Sequence, residues 1–284
     1  MFRNFFSLTK PGIIFGNVIT ALGGFFLAAK GQINFSLLIF MLVGVSLVIA
    51  SGCVFNNCID RDIDKLMKRT QNRVMAKGLI SMPVAIMYGF VVGALGIAAL
   101  YFGTNLLVVI IALIGLFVYV VVYTLWLKRN SIYGTLVGSV SGAVPPVIGY
   151  CAVTNKFDVG AFILFLILSL WQMPHSFAIA IYRYDDYLAA SIPVLPVKRG
   201  IPFTKLSMLL YTIAFAIATL MLTLLGYTGI GYFIVALIVG VYWSYIAISG
   251  FYTHNNKQWA RKMFVFSIFG LIGLCIMMSV NFKV

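Results

Sequence analysis

Residues 36–73, SLLIFMLVGVSLVIASGCVFNNCIDRDIDKLMKRTQNR, run from a stretch without a single charge into the densest cluster of charge in the chain. The first part, 36–57, is apolar throughout and matches the roughly 20 residues that a helix needs to cross a bilayer. Its apolar residues are continuous rather than alternating, which excludes the strand of a membrane barrel. Similar runs recur along all 284 residues, of which 62% are hydrophobic and 9% charged, with a mean hydropathy of +1.06. The expected fold is therefore all-α: a polytopic membrane bundle of about nine transmembrane helices at 12–29, 36–57, 82–102, 105–126, 132–152, 160–182, 206–226, 229–250 and 263–282. No Pro/Ser-rich or low-complexity linker interrupts them, so residues 1–284 are read as one membrane-embedded domain.

Lys and Arg accumulate in cytoplasmic loops and so report orientation. With the N-terminus in the cytoplasm, only Lys30, Lys156 and Lys283 of the 20 basic residues fall on the outer side. The net charge of +14 is then mostly a topology signal beside an anionic leaflet. No loop is long enough to form a nucleic-acid-binding domain, so no nucleic-acid partner is expected. The N-terminal MFRNFFSLTKPG has no cleavable-signal or transit pattern, and a bacterial cell inner membrane is the expected location. Cys53, Cys58, Cys151 and Cys275 form no C-x-x-C pair and read as packing residues. Glycines four apart, Gly12 and Gly16, Gly89 and Gly93, and Gly134, Gly138 and Gly142, read as sites of close helix approach.

The charged half of the opening stretch holds Asp60, Asp62 and Asp64 in a chain with six acidic residues and no Glu. Asp185 and Asp186 form a second cluster on the same predicted side, in 183–205. With no Pro and one Gly in 50–69, the span is expected to continue as a helix through its charges. At about 100° per residue, Asn57, Asp60 and Asp64 then share a face with Asn56 beside it, while Asp62 points away. Two carboxylates a turn apart, with amide oxygens nearby, suit Mg²⁺, which takes one or two carboxylates together with phosphate oxygens. Arg69 and Arg73, again four apart, offer planar forks for phosphate, and Lys65, Lys68 and Lys77 add charge. A metal-bound diphosphate ligand accounts for both clusters. Ordinary pairs on a solvated helix are the alternative, worth about 0–1 kcal/mol each.

NNCIDRDIDKLMKRTQNR at 56–73 resembles the first Asp-rich motif of the UbiA-type intramembrane prenyltransferases. KPGIIFGN at 10–17, YGTLVGSVSGAVPPVIGYCAVT at 133–154, WQMPHSFAIAI at 171–181 and DYLAASIPVLPV at 186–197 are similar to the branch of that family that farnesylates protohaem IX. The resemblance runs from about residue 8 to 282. It implies that farnesyl diphosphate and haem B are the substrates, Mg²⁺ the cofactor, and haem O and diphosphate the products. It places Asp60, Asp64, Arg69 and Asp186 in the catalytic set, with Asp60, Asp64 and Asp186 as metal ligands. Asn56, Asn57, Arg73, Lys128, Arg129 and Lys10 are the candidates for the diphosphate. Asn57 stands where many of these enzymes have Asp, and Tyr182 replaces the family's other second-motif Asp, so one or two metal ions remain open. Haem-handling or terminal oxidase assembly proteins are the partners the resemblance implies.

His175 lies within the sixth span, where a polar group is costly and often functional. It reads either as a haem contact or as a histidine bonded to a carbonyl freed by Pro174. Two other functions stay open at this level. One is a sister enzyme with an aromatic or quinone-precursor acceptor. The other is a transporter, which would carry ionisable groups at the bilayer midplane and repeated halves rather than acid at one interface.

Overall fold

The structure, a computed structural model, describes residues 2–283. In chain order it contains α1 (Phe2–Leu8), α2 (Pro11–Ala29), α3 (Phe35–Ile59), α4 (Arg61–Leu66), α5 (Met82–Gly103) and α6 (Leu106–Asn130). These are followed by α7 (Gly134–Thr154), α8 (Val159–Tyr182), α9 (Tyr184–Ala189), α10 (Leu195–Leu224), α11 (Ile230–Tyr252) and α12 (Asn256–Val280). Among the described residues, nine helices are long and apolar enough to span a membrane; α1, α4 and α9 are not.

Polar residues on the short connections start several of these helices. The side chains of Asn34, Asn105, Asp158 and Asn255 each accept a hydrogen bond from the backbone N–H three residues on, at 3.0–3.1 Å. Each satisfies a donor that the first helical turn leaves without a partner. Pro11, Pro83 and Pro196 sit in first turns, where no N–H is missed.

The spans lie where hydropathy puts them, but some helices run past the apolar stretch. α6 continues to Asn130 and carries Lys128 and Arg129 on its last turn, and α12 begins at Asn256, ahead of Lys257, Arg261 and Lys262. Charge ends the apolar run without ending the backbone hydrogen-bond ladder. The expected seventh span, 206–226, is the main part of a helix that starts at Leu195 and is broken at Gly200, whose φ of 80° takes the chain out of helical geometry.

The expectation of one helix through the charged stretch is corrected. α3 ends at Ile59, Asp60 leaves helical geometry (ψ 3°), α4 stops at Leu66, and the segment from Met67 to Ser81 is a succession of turns. Arg69 and Arg73 are thus not neighbours on a helix. Across the break the ladder survives, Asp60 N–H donating to the Asn56 carbonyl at 2.9 Å and Asp64 N–H to the Asp60 carbonyl at 2.8 Å. That continuity keeps the faces the helical spacing assigned: Asp60 and Asp64 are buried while the Asp62 side chain is 64% exposed. The turns are anchored from below, where Val74, Met75 and Ile80 pack with Leu8, Val54, Cys58 and Ala85.

The spans close into a ring. α3 packs on α5, α5 on α6, α6 on α7, α7 on α8, α8 on α10, α10 on α11 and α11 on α12, while α12 and α3 meet α2. α2 and α7 approach backbone to backbone: a Cβ on Gly149 would run into the Ala21 carbonyl, and one on Gly24 into the Pro146 carbonyl. Gly89 and Gly93 sit under Phe55 and Ser51 of α3, and Ser51 Oγ donates to the Gly89 carbonyl at 2.8 Å. Gly12 and Gly16 depart from the packing role expected of them. A Cβ at either would meet nothing within 4 Å, because both border the interior cavity.

Candidate active site

A cavity of about 720 Å³ lies inside the ring, walled by α2, α3, α6, α7, α8 and α12 and closed over by parts of the 67–73 and 187–194 segments. Its wall is apolar along Ile19, Val48, Ile49, Leu116, Ile148, Leu168 and Leu271. At the end formed by the start of α2 and the ends of α3, α6 and α8 it becomes polar, with Lys10, Asn56, Asp64, Arg69, Arg73 and Lys128 on the wall. The spans are thus arranged to offer hydrocarbon depth beneath a charged mouth.

At that mouth each acidic or amide group already holds a basic one. Arg73 Nη1 bonds both oxygens of Asp64, at 3.0 and 2.9 Å. Lys128 Nζ bonds Asp60 Oδ2, and Lys10 Nζ bonds Asn56 Oδ1. Asn56 Nδ2 donates to Asp60 Oδ2 at 2.8 Å and to Thr124 Oγ1 at 3.1 Å, tying α3 to α6. Thr70 Oγ1 donates to the Asp64 carbonyl at 3.0 Å, fixing the turn that carries Arg69 and Arg73. The two acidic segments meet through the backbone: Lys68 N–H donates to Asp186 Oδ1 at 2.9 Å.

Burial, reinforced by the Arg73 charge, lowers the Lys10 ammonium to about 8, so an arriving anion would strengthen its hold on the proton. Lys10 reaches this position from a left-handed backbone (φ 53°) immediately before Pro11, a geometry disfavoured for a side-chain-bearing residue before proline. Burial also raises the Tyr187 phenol, which keeps it a neutral donor on the cavity wall.

The other candidates lie behind the wall or face away from it. Asp60 is fully buried beneath Lys128 and Asn56 rather than on the cavity surface, and its Oδ1 has no hydrogen-bond partner. Asn57 Nδ2 donates to the Leu8 and Cys53 carbonyls at 2.9 and 3.0 Å, pinning α1 to α3. Arg129 forks onto Asp62, both contacts 2.7 Å, and onto the Ile59 carbonyl at 2.6 Å. The Arg129 hydrogen bonds hold Asp62 down at about 2. Asp186 is buried and turned toward Lys68, and Asp185 is exposed. At Tyr182 the ring carries Arg183 at 4.7 Å and Lys257 at 5.8 Å, so cations stand over this position.

Composition could not select the aromatic side chains of the wall. α6 changes to π-helical hydrogen bonding over Val118–Leu127, a feature that often marks functional sites. In that register Tyr119 and Tyr123 reach the cavity with their rings stacked at 6.1 Å, and Lys128 follows them. His175 also lines the cavity, packed on Trp171 at 4.4 Å and near Phe264 at 4.9 Å. Its Nδ1 lies 2.7 Å from Ser267 Oγ of α12, which packs directly on α8, so its partner is a hydroxyl on a neighbouring helix rather than a carbonyl beside Pro174.

The UbiA prenyltransferase family model matches residues 17–269. A protohaem IX farnesyltransferase of Pseudomonas savastanoi pv. phaseolicola is 57% identical over 282 residues, covering 99% of this chain and 96% of the relative. One from Cronobacter sakazakii is 58% identical over 284 residues, covering 100% and 96%. Among solved structures, a digeranylgeranylglyceryl phosphate synthase superposes with a TM-score of 0.81 at 19% identity, covering 99% of this chain and 98% of that one. A UbiA homologue from Archaeoglobus fulgidus, bound to GPP and Mg²⁺, gives 0.71 at 15% identity, covering 97% and 99%. At these identities the two structures share the fold with this chain.

Proposed function

This chain belongs to the UbiA prenyltransferase family, and within it to the protohaem IX farnesyltransferases, and from that premise we propose how its own residues carry out the transfer. Farnesyl diphosphate lies with its diphosphate at the mouth and its chain along the apolar wall. Lys10, Arg69, Arg73 and Lys128 take the phosphate oxygens, Arg as a planar fork and Lys as a point charge. Asn56 and Thr124 hold the carboxylate side of the mouth in place. Arg129 and Asn57 act one layer out, fixing the ends of α3 and α1.

The donor set fits Mg²⁺. Asp60, Asp64 and Asn56 are hard oxygen donors, and the buried Oδ1 of Asp60 has no partner. Asp60 and Asp64, with Asp186 from the second acidic segment, would hold the ion, which supplies positive charge to the departing diphosphate. Among the described residues no three carboxylate, histidine or cysteine groups are gathered as a metal site, so Asp186 would have to leave the Lys68 N–H and draw toward Asp60 and Asp64, with diphosphate oxygens completing the shell.

The allylic C–O bond breaks with its electron pair going to the diphosphate, where the basic groups receive the charge. The vinyl π pair of haem B forms the new carbon–carbon bond to the farnesyl cation. The cation left beside the macrocycle takes a water oxygen and releases a proton, giving the hydroxyethylfarnesyl group of haem O. Tyr119 and Tyr123 present π faces near the reacting end, and the apolar wall keeps bulk water from the cation. His175 faces the haem. The catalytic end lies on the cytoplasmic side of a bacterial inner membrane, the chain works as one membrane-embedded unit, and its product passes to terminal oxidase assembly.

The pairing of Asp64 with Arg73 and Asp60 with Lys128 at the polar end of an apolar cavity carries this proposal. Purified protein incubated with haem B, farnesyl diphosphate and Mg²⁺ is expected to yield haem O by mass, and EDTA to abolish it. Diphosphate release without a haem product would leave the donor site standing and refute the acceptor.

A further inference from the structure

Ser267 of α12 takes part in three hydrogen bonds, two of which join that helix to α8. Its carbonyl accepts from Trp171 Nε1 at 2.9 Å, its Oγ lies 2.6 Å from the Phe264 carbonyl, and the same Oγ lies 2.7 Å from His175 Nδ1. Ser267 is 1% exposed, so water does not compete for these contacts.

A carbonyl oxygen can only accept, so the serine's one proton must lie toward Phe264. Oγ therefore meets His175 as an acceptor, and the proton between them belongs to Nδ1. A neutral imidazole has one N–H, which leaves Nε2 as a bare lone pair. Nε2 has no hydrogen-bond partner among the described residues, while the ring is partly exposed on the cavity wall between Trp171 and Phe264. Inside a membrane protein, an acceptor left without a partner is costly. Two aromatic neighbours and one fixed nitrogen also prevent the ring from turning to find one.

We propose that Ser267 is a positioning residue that fixes the His175 tautomer, so that Nε2 is presented as a ready ligand to the iron of haem in the cavity. The inference rests on haem as the acceptor and adds how the acceptor is held. Iron ligation at Nε2 anchors the macrocycle by its centre, leaving its vinyl edge to be set against the farnesyl carbon. The residue acts through His175 and touches no reacting atom.

The test titrates the full-length protein in detergent with ferric haem B and, separately, with metal-free protoporphyrin IX, neither with farnesyl diphosphate. The wild type is expected to bind haem with the visible spectrum of histidine-ligated iron. His175→Ala should lose that spectrum and regain it with added imidazole. Ser267→Ala should weaken haem binding by about 10–100-fold, the usual cost of losing an outer-shell partner of a metal-ligating histidine, and leave protoporphyrin binding unchanged. Ser267→Thr, which keeps the hydroxyl, should restore haem binding. Haem binding unchanged in Ser267→Ala, or an unchanged spectrum in His175→Ala, overturns the proposal. Parallel loss of haem and protoporphyrin binding in Ser267→Ala also overturns it, because it marks a purely structural serine. A wild type that makes haem O while its variants bind haem normally refutes the ligand alone; a wild type that neither binds haem nor makes haem O refutes the acceptor.

Discussion

Asp60, Asp62 and Asp64 share one short segment and differ in what surrounds them. Asp60 and Asp64 are buried against Lys128 and Arg73, while Asp62 pairs with Arg129 at the surface. Removing one member of a buried pair leaves an uncompensated charge, whereas an exposed pair is worth about 0–1 kcal/mol. Asp60→Ala and Asp64→Ala are therefore expected to abolish haem O formation, and Asp62→Ala to retain most of it, in an assay of product by mass. Arg69→Ala should also abolish activity, but without loss of thermal stability, since this exposed side chain borders the cavity and supports no buried acid. Equal loss at Asp62 would mean that the two faces of the segment do not divide the chemistry.

Helices of the same composition do different work according to what their small residues face. Gly149 of α7 touches the Ala21 carbonyl of α2, whereas Gly16 of α2 faces open cavity. Gly149→Leu is expected to lower the thermal midpoint sharply or prevent folding, because backbone rather than a side chain would have to give way. Gly16→Leu should melt like the wild type yet lose most haem O formation, since the added side chain enters substrate space; a melting midpoint lowered as far as in Gly149→Leu would refute that division. The glycine spacing predicted close packing at Gly12 and Gly16 as at Gly89 and Gly93; it holds for Gly89 and Gly93, which meet Phe55 and Ser51, but not for Gly12 and Gly16, because spacing does not reveal whether a partner helix is present. The spans themselves were legible, since a length of apolar sequence is a direct physical requirement of the bilayer. The break at Asp60, the turns after Leu66 and the π-helical part of α6 were not, because each depends on hydrogen bonds from distant elements, such as those of Asn56 to Thr124 and Lys68 to Asp186. For the same reason Tyr119, Tyr123 and Tyr187 could not be picked out among 15 tyrosines.

At the scale of the whole molecule, the polar end of the cavity is a closed set of internal pairs: Arg73 with Asp64, Lys128 with Asp60, Lys10 with Asn56. Of the side-chain oxygens of Asn56, Asp60 and Asp64, only Asp60 Oδ1 is without a cation or N–H partner. A free metal ion must displace those cations without giving them a new partner. A diphosphate supplies that partner, since the displaced Lys and Arg groups can turn to its oxygens. Metal and diphosphate should therefore bind with positive coupling, and by linkage each strengthens the other equally. Mn²⁺, followed by its magnetic resonance signal in place of Mg²⁺, is expected to bind the protein weakly alone and at least about 10-fold more tightly with inorganic diphosphate, within the usual range of such coupling. Arg73→Ala should shrink the coupling by freeing Asp64 for the ion in advance. Tight metal binding by the wild type without diphosphate would show that the carboxylates are not held by their internal cations, and that the ion organises the site before the substrate arrives.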